Sequence, residues 1–224
     1  MTDETDAVSR ETAAVAKAVE QWPTAFPLLQ RYHEWLATAG VERGLIGPRE
    51  ADKLWDRHIN NSAVLSELVP ADASVIDVGS GAGLPGIPLQ IVRPDLTITL
   101  LEPLARRVEF LEEVIADLGL ATTVVRGRAE DQKGLSAQVV TSRAVAALPK
   151  LLTWCWPLVA PGGSILALKG AQAAAEIEAA SKYLTKRNLA AEVRSVGAGV
   201  VDPLTTVVSV HRRVVTDLDS KVRA

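Results

Sequence analysis

The chain has 224 residues, 48% of them hydrophobic and 23% charged, which excludes a disordered or collagen-like protein and gives enough length to bury a core without metal or disulfide support. A net charge of −3 excludes a general polyanion binder, and a single cysteine, Cys155, excludes an internal disulfide. No apolar run reaches the ~18 residues of a membrane span.

The N-terminal "MTDETDAVSR" lacks the basic start and apolar core of a signal peptide, so the cytoplasm is the expected compartment. Residues 1–20 read as a flexible or helical tail. Leu28, Leu29, Tyr32, Trp35 and Leu36 then fall at helical spacing. After a break at "GLIGPRE", with Pro48 placed to precede a helix, Leu54, Trp55, Ile59, Val64, Leu65 and Leu68 predict a second one. Residues 21–69 are therefore expected to form a helical cap.

From residue 74 strands alternate with helices. "SVIDVG", "LTITLLE", "TTVVRG", "AQVVTSR" and "SILALKG" predict five strands. "GIPLQIV" is a helix stopped by Pro94, "LARRVEFLEEVIADLG" a helix closed by Gly119, and "KLLTWCWPLVA" a helix that buries Cys155 as a structural thiol. A polar helix over about 171–187 precedes a closing antiparallel pair, "LAAEVRSVG" and "TTVVSVHRR". The pattern predicts an α/β fold, with a mostly parallel seven-stranded sheet over residues 70–213 and a C-terminal tail at 214–224. Ligands of such sheets bind beyond the carboxyl ends of the strands, where the strand order reverses.

The stretch "VIDVGSGAGLPGIPL" lies at such an end. Gly79, Gly81, Gly83 and Gly86 exceed what a strand-to-helix turn requires, and bare backbone lets a ligand approach. A P-loop is excluded, because Ile87 and Pro88 stand where its lysine and hydroxyl residue belong. "GAGLPG" matches the dinucleotide fingerprint, but the glycine run begins at Gly79, and a fingerprint begun there meets Leu84 at its third glycine. Asp77 would also repel a pyrophosphate. An acid two residues before the first glycine suits a cationic ligand such as S-adenosylmethionine. Glu102, closing strand two, suits ribose hydroxyls in either case. A NAD-dependent oxidoreductase remains the rival reading at this point.

Taken with "RHINNS", "LLEPLARRVEFL", "GRAED", "SRAVAAL" and "ALKG", the block "DVGSGAGLPGIPLQIVRPD" closely resembles the RsmG/GidB family of bacterial 16S rRNA guanine-N7 methyltransferases, over roughly residues 25–210. Many relatives carry an "NLT"-like stretch where this chain has "GLIGPRE". The resemblance implies a class I methyltransferase fold, Rossmann-like, with S-adenosylmethionine as donor. It implies N7 of a guanine in the decoding-region loop of 16S rRNA as acceptor; the net charge of −3 favours that RNA within a small subunit or an assembly intermediate over naked RNA, and a monomer is expected. The donor site would include Gly79, Gly81, Leu84 and Glu102, with Ala129 and Glu130 framing the adenine. Arg143, ending strand four, would position both substrates, its plainer alternative being a strand-end salt bridge. Arg128 and Lys169 match basic family positions and are candidates for RNA contact. His58 is a third candidate, with capping or a surface position as its alternative. Guanine N7 carries a lone pair and no proton, so no general base is expected. His33, His58 and His211 are too dispersed to suggest a metal site. The rival functions are a small-molecule methyltransferase, the NAD enzyme, and a non-catalytic RNA-binding module.

Overall fold

The sheet is built outward from β1 (Ser74–Val78), a strand whose last four residues are buried. The computed structural model describes residues 2–213, with side chains from residue 10 onward. β2 (Thr97–Glu102) and β3 (Thr123–Arg126) lie on one side of β1, and β4 (Ala137–Arg143) and β5 (Val159–Lys169) on the other, all parallel. β7 (Thr205–Arg212) runs antiparallel between β5 and β6 (Leu189–Val196), giving the order β3-β2-β1-β4-β5-β7-β6. This is the predicted seven-stranded, mostly parallel sheet. Its order reverses between β1 and β4, which opens a crevice beyond their carboxyl ends.

Alternation along the strands divides the core in two. Val75, Ile98 and Leu100 face the layer of α2 (Phe26–Trp35), α4 (Gly86–Val92) and α5 (Ala105–Leu118). Ile76, Val78 and Leu101 face the opposite layer, with α6 (Leu148–Cys155) and the short α7 (Ala173–Ala179) and α8 (Ser181–Lys186). Cys155 is buried there, and burial pushes its thiol up to about 12. The expected single helix at 171–187 is this α7–α8 pair. Strand five begins five residues earlier than expected, taking in "PGG", with an irregular register against β4.

The cap departs most from expectation. The second predicted helix is four short pieces: a 3-10 turn at Pro48–Lys53, a π turn at Trp55–Ile59, α3 (Asn60–Ala63) and a 3-10 turn at Val64–Leu68. Side chains take over backbone partners here. The Glu11 carboxylate accepts the N–H groups of Trp55 (2.7 Å) and Asp56 (3.1 Å). Ser62 Oγ donates to the His58 carbonyl at 2.6 Å, and Asn61 Nδ2 to that of Asp56 at 2.6 Å. Such local bonds compete with the α-helical ladder, and π turns concentrate where a side chain must be re-aimed. Glu11 belongs to α1 (Thr2–Gln21), which buries Ala14 and Ala18 and receives the Asn60 amide on the Ala14 carbonyl. The tail expected at 214–224 lies outside the described residues.

Glu11 joins α1 to the turn that carries His58. Glu11→Ala leaves two backbone donors without acceptors and is expected to lower stability by about 1–3 kcal/mol in urea unfolding. An unchanged midpoint would show that α1 does not hold the turn.

Candidate functional site

The loop from β1 to α4 is fixed from below by carboxylates and from the side by a tyrosine. Asp77 is fully buried, and its Oδ2 accepts the Gly86 N–H at 3.0 Å. A Cβ at Gly86 would overlap Leu100 and lie 2.9 Å from that oxygen, so the helix start needs glycine for room. Gly83, at φ 99°, turns the chain where a side chain would overlap Ile87. Tyr32, fully buried in α2, donates to the Ala82 carbonyl at 2.7 Å. Glu102 closes β2 at 1% exposure; its Oε2 accepts the Gly81 N–H and its Oε1 the Leu104 N–H, each at 3.0 Å. Above this frame lies a cavity of about 560 Å³, floored by Gly79, Ser80, Gly81 and Ala82, with Leu84 and Glu102 in its walls. Its size is that of a cofactor site.

A second cavity, of about 890 Å³, adjoins the first across Arg143, Ala144, Val145 and His58, which line both. Arg143 ends β4, beside β1 at the reversal of strand order. Its Nη2 donates to His58 Nδ1, and its Nη1 lies 3.4 Å from both the His58 carbonyl and Ser62 Oγ. His58 Nε2 lies 3.0 Å from Glu50 Oε2. A ring that accepts on Nδ1 carries its proton on Nε2, so His58 is neutral and donates to Glu50. Burial, reinforced by the neighbouring Arg143, lowers its pKa to about 4.

The family model for rRNA small subunit methyltransferase G, GidB, matches residues 26–199. The chain belongs to the GidB family. It is 54% identical over 210 residues to the ribosomal RNA small subunit methyltransferase G of Thermobifida fusca, covering 92% of this chain and 88% of that one. Its likeness to the protein of the same name from Streptomyces coelicolor is 60% over 187 residues, covering 81% and 77%. A solved methyltransferase from Pyrococcus furiosus shares the fold, with a TM-score of 0.58 at 12% identity over 70% of this chain and 83% of that one. The fold is that of the class I methyltransferases.

Within this GidB chain the predicted site residues separate. Gly79, Gly81, Leu84, Glu102 and Arg143 converge on the smaller cavity, and His58 and Lys169 line the larger. Lys169 is already engaged: at 9% side-chain exposure its ammonium donates to the Ala146 carbonyl (2.6 Å) and Glu176 (2.8 Å). Glu176 also accepts the Leu148 N–H at 2.6 Å, so Lys169 holds the loop between β4 and α6. Ala129, buried, and Glu130, in the turn after β3, line neither cavity. Arg128 is 70% exposed, 3.9 Å from Glu130, and also outside both. Sequence reasoning missed Tyr32, Glu50 and Glu176. Tyr32 was legible only as an apolar helical position, although a buried tyrosine hydroxyl requires an acceptor. Among the described residues no cluster of His, Cys, Asp or Glu could hold a metal ion, and no helix is long and apolar enough to cross a membrane.

Asp77 Oδ1 has no partner, and burial pushes the carboxyl up from 3.8 to about 7. The folded chain therefore binds the extra proton between those values, and stability falls as pH rises through that window. A cationic ligand above the loop favours the ionised form. S-adenosylmethionine is expected to bind about tenfold more tightly at pH 8 than at pH 6 in calorimetry, with Asp77→Asn removing the dependence. Wild-type affinity that does not change with pH would contradict this.

Proposed function

We propose that this chain transfers the methyl group of S-adenosylmethionine to N7 of a guanine in the decoding-region loop of 16S rRNA, with the smaller cavity holding the donor and the larger one the base. The meeting of the two cavities at Arg143 and His58 carries this reading. Methyl transfer needs two ligands from two directions with their reacting atoms in line, and the crevice between β1 and β4 offers that arrangement.

The smaller cavity fits the donor chemically. Its floor is open backbone, and a Cβ at Gly81 would meet nothing nearer than 3.9 Å. Each Glu102 oxygen accepts one backbone N–H and retains a lone pair for a ribose hydroxyl. Asp77, buried with one oxygen unpartnered, favours a cation above it. S-adenosylmethionine, when bound, supplies an electrophilic methyl on a sulfonium. Ala129 and Glu130 are assigned to the adenine end, beyond the described walls.

The residues around the acceptor cavity orient and do not exchange protons. N7 has a lone pair and no hydrogen, so the neutral His58 has no proton to remove. Positive charge passes from sulfur to purine and none is created. Arg143 holds the base edge; orientation of this kind supplies roughly 7–11 kcal/mol in favourable cases. Extruding the base from its stack costs on the order of a few kcal/mol. With a net charge of −3 the protein lacks the positive field to hold naked RNA, so the preformed surface of a small subunit or assembly intermediate, in the cytoplasm, is its substrate. It acts as a monomer. Arg128, exposed and outside both cavities, is assigned to a phosphate; His58 lines the acceptor cavity.

The test is label transfer from methyl-labelled donor to small subunits from cells lacking the protein, followed by mapping of the modified nucleotide. Label at a guanine N7 in the decoding-region loop is expected; label elsewhere or none would overturn the reading. Arg143→Ala is expected to lower turnover at least about 10²-fold while donor affinity stays within a few-fold. Near-normal turnover would remove Arg143 from the site.

A further inference from the structure

We propose that Glu50 and His58 are positioning residues for this reaction: a hydrogen-bonded chain, Glu50–His58–Arg143, that aims the Arg143 guanidinium at the boundary of the two cavities. The inference rests on the reading above and adds Glu50, which lies in the stretch "GLIGPRE" that bears no motif.

An arginine at a strand end has several rotatable bonds and needs strong acceptors to hold one direction. The Arg143 contacts to the His58 carbonyl and Ser62 Oγ, both at 3.4 Å, are too long to do so alone. The remaining bond is to His58 Nδ1. An imidazole accepts there only with its proton on the other nitrogen, and Glu50 Oε2, 3.0 Å from Nε2, is the acceptor that keeps it there. The carboxylate thus sets the tautomer, the tautomer presents a lone pair, and the lone pair orients the guanidinium. The groups facing His58 are Glu50 from the 3-10 turn, Arg143 from β4 and Arg57 beside it; Arg57 also reaches Glu50, at 3.7 Å. Tyr32, Glu50 and Asp77 act on Arg143 itself. A protonated ring would set an N–H and a positive charge against Arg143, so the chain requires the neutral form.

The backbone explains how the three residues meet. Glu50 and His58 are eight residues apart, and the π turn at Trp55–Ile59 lies between the 3-10 turn and α3. Glu11 fixes the start of that turn through two N–H groups. The broken helix thereby holds the ring between an acid on the rim and an arginine in the crevice.

Turnover is measured with methyl-labelled donor and unmodified small subunits for Glu50→Ala, Glu50→Gln, Arg143→Ala and the double variant Glu50→Ala/Arg143→Ala. Glu50→Ala is expected to lower kcat about tenfold with donor affinity within twofold of wild type. Glu50→Gln retains an acceptor for Nε2–H and should recover most of that loss. In the Arg143→Ala background, removing Glu50 should cost less than about twofold, because nothing is left to aim. His58→Gln, whose amide can accept from Arg143 and donate to Glu50, gives a second variant should Glu50→Ala fail to fold; it is expected to exceed His58→Ala in kcat. Wild-type kcat in Glu50→Ala, equal losses in Glu50→Ala and Glu50→Gln, or an undiminished loss in the Arg143→Ala background would overturn the chain. An inactive wild-type protein would instead overturn the proposed function, so the two failures are distinguishable.

Discussion

Asp77 and Glu102 each accept backbone N–H groups from the loop that follows β1, and the shape of the crevice depends on those bonds. A run of glycines has no side chains to pack and a large entropy to lose on ordering. Left alone it would be mobile. Two buried carboxylates, from neighbouring strands, hold it at Gly81 and Gly86 while Tyr32 holds the Ala82 carbonyl. The backbone can then be both bare and fixed, as a floor for a ligand must be. The arrangement also leaves one oxygen of the buried Asp77 carboxyl without a partner below the floor. Burial that would merely destabilise an ordinary loop here selects the charge of what lies on it.

The cations around the crevice are already held by partners. Arg143 is held by His58, Lys169 by Glu176 and the Ala146 carbonyl, and Arg107 lies 3.7 Å from Glu102. Few of these positive charges face the cavities unpartnered. The loop from β4 to α6, held by Lys169 and Glu176, includes the shared wall between the two cavities. Val145 packs so close to Gly79 that a Cβ there would lie 2.8 Å from it. The two cavities are therefore set by the same contacts, and a change in one wall is felt in both.

Much of this was legible in the sequence because it is local. The β-branched runs, the glycines after them and Pro94 fix strands, turn and helix within a few residues. Asp77, Glu102 and Arg143 could be named because each lies at the ligand-side end of a strand. What was not legible depends on partners distant in sequence. Nothing near Glu11 says that its carboxylate will take two N–H groups 44 and 45 residues away, at the start of the π turn in the second cap helix. Lys169 reads as a free cation until β5 and α7 bring Glu176 to it. Glu50 reads as a surface acid in a loop, since only the π turn places His58 over it. Arg128 reads like Arg143, a basic residue near a strand end, but edge strand β3 leaves it outside both cavities.

The central claim is that a glycine loop held from below by acids selects a cationic methyl donor and rejects a pyrophosphate. Calorimetric titration of the full-length protein with S-adenosylmethionine and, separately, with NAD tests it most directly. Saturable binding of S-adenosylmethionine, with none of NAD, is the predicted result. Binding of NAD without binding of S-adenosylmethionine would contradict the account at its foundation.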